Sequence, residues 1–326
     1  MNNCSSPLTP SFSLNSKAGI AWLCAVACAA SLGVAQAESD DFDDGNDSGW
    51  AHYNPLENFG VPGVFSFADG GYRIRTTSPS PDPEHLGNGR TGSLRATTYS
   101  DFYVSVDLVD WDDSLPQAVG IFARISTPGL GTTTGYAFTW SRGVETNDAV
   151  LDITKITGEA PDDVPTSGSD QYYFVPGRQY RLVFIGQGMR FEGRVYELPD
   201  VVHPVVTIVG FDGTYTSGVN GLIVYDNSAA ANNLTDATFD DFIAYDIEPP
   251  RLEITGPDSF GDIKITWPAA SFVGGFKLQS ATSFPATSWD DIPDTLVGTD
   301  PLDPEHVFYN PLESASGQKF FRLRRP

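Results

Sequence analysis

Past residue 70, apolar and polar side chains change places at every second position in run after run, and turn formers cut the runs short. In 102–109, Phe102, Val104, Val106 and Leu108 share one face while Tyr103, Ser105 and Asp107 share the other. In 119–125, Val119, Ile121, Ala123 and Ile125 alternate with Gly120, Phe122 and Arg124. Successive strand side chains point to opposite faces, so a period of two marks half-buried strands. The pattern recurs at 71–76, 94–97, 135–141, 150–156, 180–186, 189–197, 204–209, 220–225 and 238–246, with Gly, Pro, Asp and Asn between the runs. Many short strands set apart by turn signals predict an all-β fold, and two stacked antiparallel sheets, a jelly-roll sandwich, cover one face of each.

Pro249-Pro250 ends this series. A proline pair cannot continue a ladder and prefers extended polyproline geometry, so 247–251 reads as a stiff linker. Beyond it, strands are expected at 252–255, 261–267, 275–280, 287–292, 305–310 and 319–324, centred on Trp267, Phe276, Leu278, Trp289, Phe308, Phe321 and Leu323. Such a set suggests a smaller immunoglobulin-like sandwich over 252–326.

At the other end, Lys17 precedes the apolar run 18–37, which closes on Ala35-Gln36-Ala37. A basic residue, an apolar run and a small-residue cleavage site make a secretory signal peptide, so 1–37 is expected to be removed and 38–246 to form the first domain of a secreted, periplasmic or cell-surface protein. Cys4, Cys24 and Cys28 all fall inside the leader, and the mature chain has no thiol for a disulfide. Lipid attachment at Cys28 is the alternative, although Ala25 stands where such boxes usually carry Leu.

The formal charge is −23, and losing Lys17 with a leader that has no acidic residue makes it −24. Phosphate backbones bind through Lys and Arg, so nucleic acid is excluded as a partner. Anionic bilayers are repelled, and no membrane insertion of the mature form is expected. Solvation, cations and neutral ligands are all compatible with such a surface.

The opening Asp41-Phe42-Asp43-Asp44-Gly45, the pair Val119-Gly-Ile-Phe-Ala-Arg124 and Gly135-Tyr-Ala-Phe138, and the closing Phe239-Asp240-Asp241-Phe242 resemble the concanavalin A-like lectin/glucanase superfamily in its laminin-G-like forms. The tail resembles bacterial fibronectin type III-like modules through Ile265-Thr-Trp267, Phe276-Lys-Leu-Gln-Ser280, Trp289 and the terminal 320–326. The first resemblance implies that the first and last strands lie side by side, which would bring Asp41, Asp43 and Asp44 near Asp240 and Asp241.

Calcium takes six to eight oxygens, and those five aspartates are the candidate donors. The glycine falls one position too early for an EF-hand loop, and a solvated turn shaped by Asp and Asn side chains accounts for the same residues. Glucanases of the superfamily carry Glu-x-Asp-x-x-Glu on one strand, and no such triplet occurs here. Glu192 lies between Arg190 and Arg194 and reads as ion-paired on an outer face. His52, His85, His203 and His306 are scattered, and no Gly-x-Ser-x-Gly elbow is present.

Aromatics beside polar residues near strand ends, in Trp111-Asp112-Asp113, Trp140-Ser141-Arg142 and Tyr172-Tyr173, are the candidate sugar contacts. Their rings can stack on the apolar face of a sugar while neighbours bind hydroxyls; the same rings also serve as ordinary core. A secreted, non-catalytic protein binding a neutral polysaccharide or cell-surface glycan is the leading reading. A carbohydrate hydrolase or lyase and a structural matrix protein stand as alternatives.

Overall fold

A computed structural model describes residues 37–67, 71–143, 148–168, 170–229, 232–247, 250–256, 263–269, 276–283, 285–299, 306–310 and 319–324. The leader 1–36, with Lys17 and Cys28, lies outside the described residues, as do 248–249 of the linker. Among the described residues no helix is long and apolar enough to cross a membrane.

The alternating runs pair into two antiparallel sheets. Their strands are β1 (Ala37–Asp40), β2 (Trp50–Tyr53), β3 (Gly63–Ser66), β4 (Tyr72–Thr76), β5 (Arg90–Tyr99), β6 (Phe102–Trp111), β7 (Gln117–Ser126) and β8 (Thr134–Arg142). There follow β9 (Ala149–Thr157), β10 (Ala160–Asp163), β11 (Thr166–Ser167), β12 (Tyr180–Gln187), β13 (Arg190–Glu197), β14 (Val206–Phe211), β15 (Gly218–Asp226) and β16 (Asp236–Asp246). Sheet A runs β11-β14-β13-β12-β6-β16-β4-β3, with β1 also beside β16; sheet B runs β10-β9-β8-β7-β15-β5-β2. The predicted all-β sandwich is the observed fold, and Asp40 lies opposite Phe242, so the first and last strands are neighbours.

The parity read in β6 holds: Phe102, Val104, Val106 and Leu108 are fully buried. In register, Val104 faces Phe184 and Val106 faces Leu182 of β12. Across the sandwich they join Val119 and Ile121 of β7, Phe138 of β8 and Leu222 of β15 in one cluster. Each such side chain contributes about 1.5–3 kcal/mol by leaving water.

Sheet B departs from simple alternation because its outer face is covered too. Tyr53, Leu94, Phe122, Ala137 and Ile223 form a second apolar cluster there, each 4–5 % exposed. β7 is consequently buried along nearly its whole length. Gly120 and Gly221 share that face, where an added Cβ would meet a neighbouring strand's carbonyl oxygen at 2.2 Å and 2.1 Å.

The tail forms its own sheets. β17 (Glu253–Thr255), β18 (Lys264–Pro268), β21 (Gly298–Thr299) and β22 (His306–Tyr309) make one; β19 (Lys277–Ala281), β20 (Asp290–Asp291) and β23 (Phe320–Arg324) make the other. Ile265, Trp267, Leu278 and Val307 are its buried centre. Trp289, expected there, is half-buried instead, with the Arg322 guanidinium 4.3 Å from its ring centroid.

Candidate functional site

Chain geometry brings the three aromatic segments to one end of the sandwich, and there it reverses the roles of their residues. Trp140 is fully buried and Trp111 is 8 % exposed. Trp140 stacks on Phe174 at 4.5 Å and 4°, and Trp111 meets Trp140 edge-on at 5.7 Å. With their ring faces spent on core packing, neither presents one to a ligand, which corrects both as sugar contacts. Their inward parity on β6 and β8 is the reason. Tyr172 and Tyr173 are half-buried. The Tyr172 carbonyl accepts from Trp140 Nε1 at 3.0 Å, and its hydroxyl donates to Glu197 at 3.3 Å.

The polar members of the same segments make the site. Arg142 ends β8 on the inward parity, opposite Ala149 of β9 at the edge of the core, and is itself 8 % exposed. Its Nε lies 3.3 Å from Asp113 Oδ1, with the two side chains 9 % and 26 % exposed. Both of those atoms are buried, and neither has a hydrogen bond. Tyr173 OH donates to Asp113 Oδ2 at 2.8 Å, and its pKa is raised, by burial first and then by that carboxylate.

Beside this pair is a pocket of about 380 Å³, lined by Ser114, Pro116, Arg142, Ser228, Ala229, Asn232 and Asn233. Its walls are held from behind. Asp112 Oδ1 receives Ser114 N–H at 2.9 Å and fixes the β6–β7 turn. Fully buried Asp226 receives the N–H groups of Ser228 at 2.9 Å and Asn233 at 3.3 Å, holding both residues beside the end of β15. The segment 227–233 was not singled out from sequence; the polar run Asn227-Ser228 and Asn232-Asn233 after a strand is the signal that would have pointed to it.

Three of the five aspartates expected to bind calcium, Asp41, Asp44 and Asp240, accept neighbouring backbone N–H groups. Asp41 Oδ1 accepts from Asp43 N–H at 3.3 Å, Asp44 Oδ1 from Asn46 N–H at 3.1 Å, and Asp240 Oδ1 from Asp241 N–H at 2.8 Å. Asp241 lies 3.4 Å from Arg181. The two stretches do approach: burial raises the Asp240 pKa, and the charges of Asp241, Asp107 and Asp43 add to it. Among the described residues, however, no three His, Cys, Asp or Glu side chains stand at ligating distance. Glu192 is ion-paired as expected, 2.8 Å from Arg190 and 2.5 Å from Arg194.

No protein-family model and no curated protein matches the sequence. Among solved structures, similarity is found to the carbohydrate-binding module CBM66 from Bacillus subtilis, at 18 % identity and a TM-score of 0.42 over 61 % of this chain and 97 % of that one. A basic winged bean lectin with Tn-antigen gives 10 % and 0.43 over 64 % and 98 %. A prokaryotic β-1,3-1,4-glucanase (lichenase) derived from a mouse hindgut metagenome gives 13 % and 0.44 over 64 % and 98 %. Scores at this level carry no function to the pocket, whose chemistry has to come from its own residues.

Proposed function

We propose that the first domain, exported after removal of residues 1–37, binds a neutral glycan through the Arg142 pocket and does not cleave it. One observation carries this reading: the pocket of about 380 Å³ is lined by Ser114, Ser228, Asn232, Asn233 and Arg142, and Arg142 is ion-paired to Asp113 at 3.3 Å. Hydroxyl and amide side chains both donate and accept, so such a wall favours a partner that can do the same. A sugar hydroxyl does both. The pair's charges balance, which leaves no net attraction for an anionic polymer, and an overall charge of −24 after loss of the leader opposes one further.

Turnover of an acetal needs two carboxyl groups about 5–9.5 Å apart around the bond. The described lining residues include no carboxylate, and neighbouring Asp113 is engaged by Arg142 and Tyr173. The fibronectin-like tail serves in this reading as a spacer.

Affinity electrophoresis and calorimetry against a panel of neutral polysaccharides, with product analysis on the same samples, test the proposal. At least one polysaccharide should be bound, and Arg142→Met and Asp113→Asn should each weaken binding about tenfold or more, as loss of a charged hydrogen bond does. Trp111→Phe should leave affinity unchanged. Binding indifferent to both polar variants would discard the pocket, and released oligosaccharides would make the protein an enzyme.

A further inference from the structure

The polar groups of the Arg142 pocket are already sorted into donors and acceptors by their neighbours. Ser114 Oγ gives its proton to Asp112 Oδ1 at 2.6 Å, so toward a further partner it can only accept. Ser228 is the converse: its Oγ accepts the Asn232 N–H at 3.2 Å, and its own proton is left to give. A guanidinium has donors alone, so Arg142 can only give. Ser228 and Arg142 are the most buried polar residues of the lining, 5 % and 8 % exposed. An acceptor brought to them meets two donors, and a donor brought to Ser114 meets a lone pair.

Two further lining residues have no polar side-chain atom. Pro116 is buried and Ala229 exposed, and both offer carbon to the pocket. A hydroxyl makes no use of such a surface, whereas a methyl group gains by leaving water there. Asp113, 3.3 Å from Arg142, balances its charge and repels an anion at the same wall. The acceptor that suits the pocket is therefore neutral and carries a methyl group.

We infer that the sugar unit bound in this pocket bears an acetamido group. The amide carbonyl accepts from Arg142 and Ser228, the amide N–H donates to Ser114 Oγ, and the methyl lies against Pro116 and Ala229. An acetyl ester has the carbonyl and the methyl but no proton for Ser114. A bare hydroxyl brings no methyl, and a protonated amine brings neither carbonyl nor methyl. At about 380 Å³ the pocket is near the lower end of the range of about 300–1,000 Å³ for ligand sites, with room for one such unit. This inference rests on the glycan-binding reading and narrows it to N-acetylated sugars.

Saturation-transfer NMR and affinity titration of the full mature chain test it with two pairs of methyl glycosides. One pair is N-acetylglucosamine and glucose, the other N-acetylgalactosamine and galactose. In at least one pair the acetamido sugar should bind about tenfold or more tightly than its hydroxyl counterpart, as an added hydrogen bond and a buried methyl allow. Its acetyl methyl should receive the strongest saturation of the ligand. Ser114→Ala, at an exposed residue, should cut that preference about fivefold, the worth of one neutral hydrogen bond. Two pairs without a preference, an unsaturated acetyl methyl, or a full preference kept in Ser114→Ala would each overturn the inference. If a neutral polysaccharide is still bound in any of those cases, the glycan-binding reading stands without it. Absence of binding to every sugar and polysaccharide would overturn both.

Discussion

Asp152, on the outer face of sheet B, shows how a single charge is priced by its surroundings. Burial raises its pKa to about 6, and the carboxylates of Asp163 and Asp170 push the same way, against a hydrogen bond from Ser141. The folded value exceeds the unfolded one, so between about pH 4 and pH 6 the folded chain keeps a proton that the unfolded chain has lost. Stability therefore falls as pH rises through that window and levels off above it, by an amount on the order of 2 kcal/mol. Asp152→Asn should stabilise the protein at pH 7.5 and change little near pH 4, as read from urea unfolding at both values. Equal effects at both would mean that the carboxylate is solvated in the fold. Arg124 is the opposite case. It is 1 % exposed, yet its guanidinium donates to Ser100 O, Tyr215 O and Gly188 O at 2.8–3.0 Å. Fully engaged, it ties three connections at the other end of the sandwich.

At the level of strands, the glycines of sheet B set how closely neighbouring strands approach. An added Cβ at Gly120 would lie 2.2 Å from Phe138 O and 2.9 Å from Thr139 Cα. Both are backbone atoms of the paired strand, so neither can rotate away. Gly120→Ala should cost about 2–3 kcal/mol through forced displacement of β8. Gly213→Ala is the control, because its nearest neighbour is Met189 Cβ at 3.5 Å, an ordinary contact. Denaturation midpoints of the two variants compare them directly, and equal midpoints would show that β7 and β8 can part without cost. β16 carries another local device. Its register with β6 shifts between Asp240 and Ile243, and Asp241 holds φ +49°. This bulge turns Phe242 into the core, fully buried, and leaves Asp241 outside beside Arg181.

Over the whole chain, 37–246 and 253–324 pair within their own sheets among the described residues. Their buried clusters share no member. A fragment ending at 247 should therefore fold alone and unfold cooperatively at the midpoint shown by this domain in the full chain. Aggregation of the fragment beside a stable full chain would place part of its core in the tail.

The period-two pattern determined the all-β sandwich and which face of β6 and of β7 as far as Ala123 turns inward, because strand parity is a local property of the backbone; it missed the shift at Arg124, φ +51°, which turns Ile125 to the outer cluster. The segments Trp111–Asp113, Trp140–Arg142 and Tyr172–Tyr173, singled out for their aromatics beside polar residues, meet at one end of the sandwich. The period could not say which residue in each lines the pocket, since Trp140 and Arg142 share a parity, yet Trp140 is stacked on Phe174 in the core and Arg142 lines the pocket. That depends on contacts between distant segments, like the one between Glu159 and Arg90, 69 positions apart in sequence. Such contacts are fixed by how strands far apart in the chain pack, and only the tertiary structure decided them.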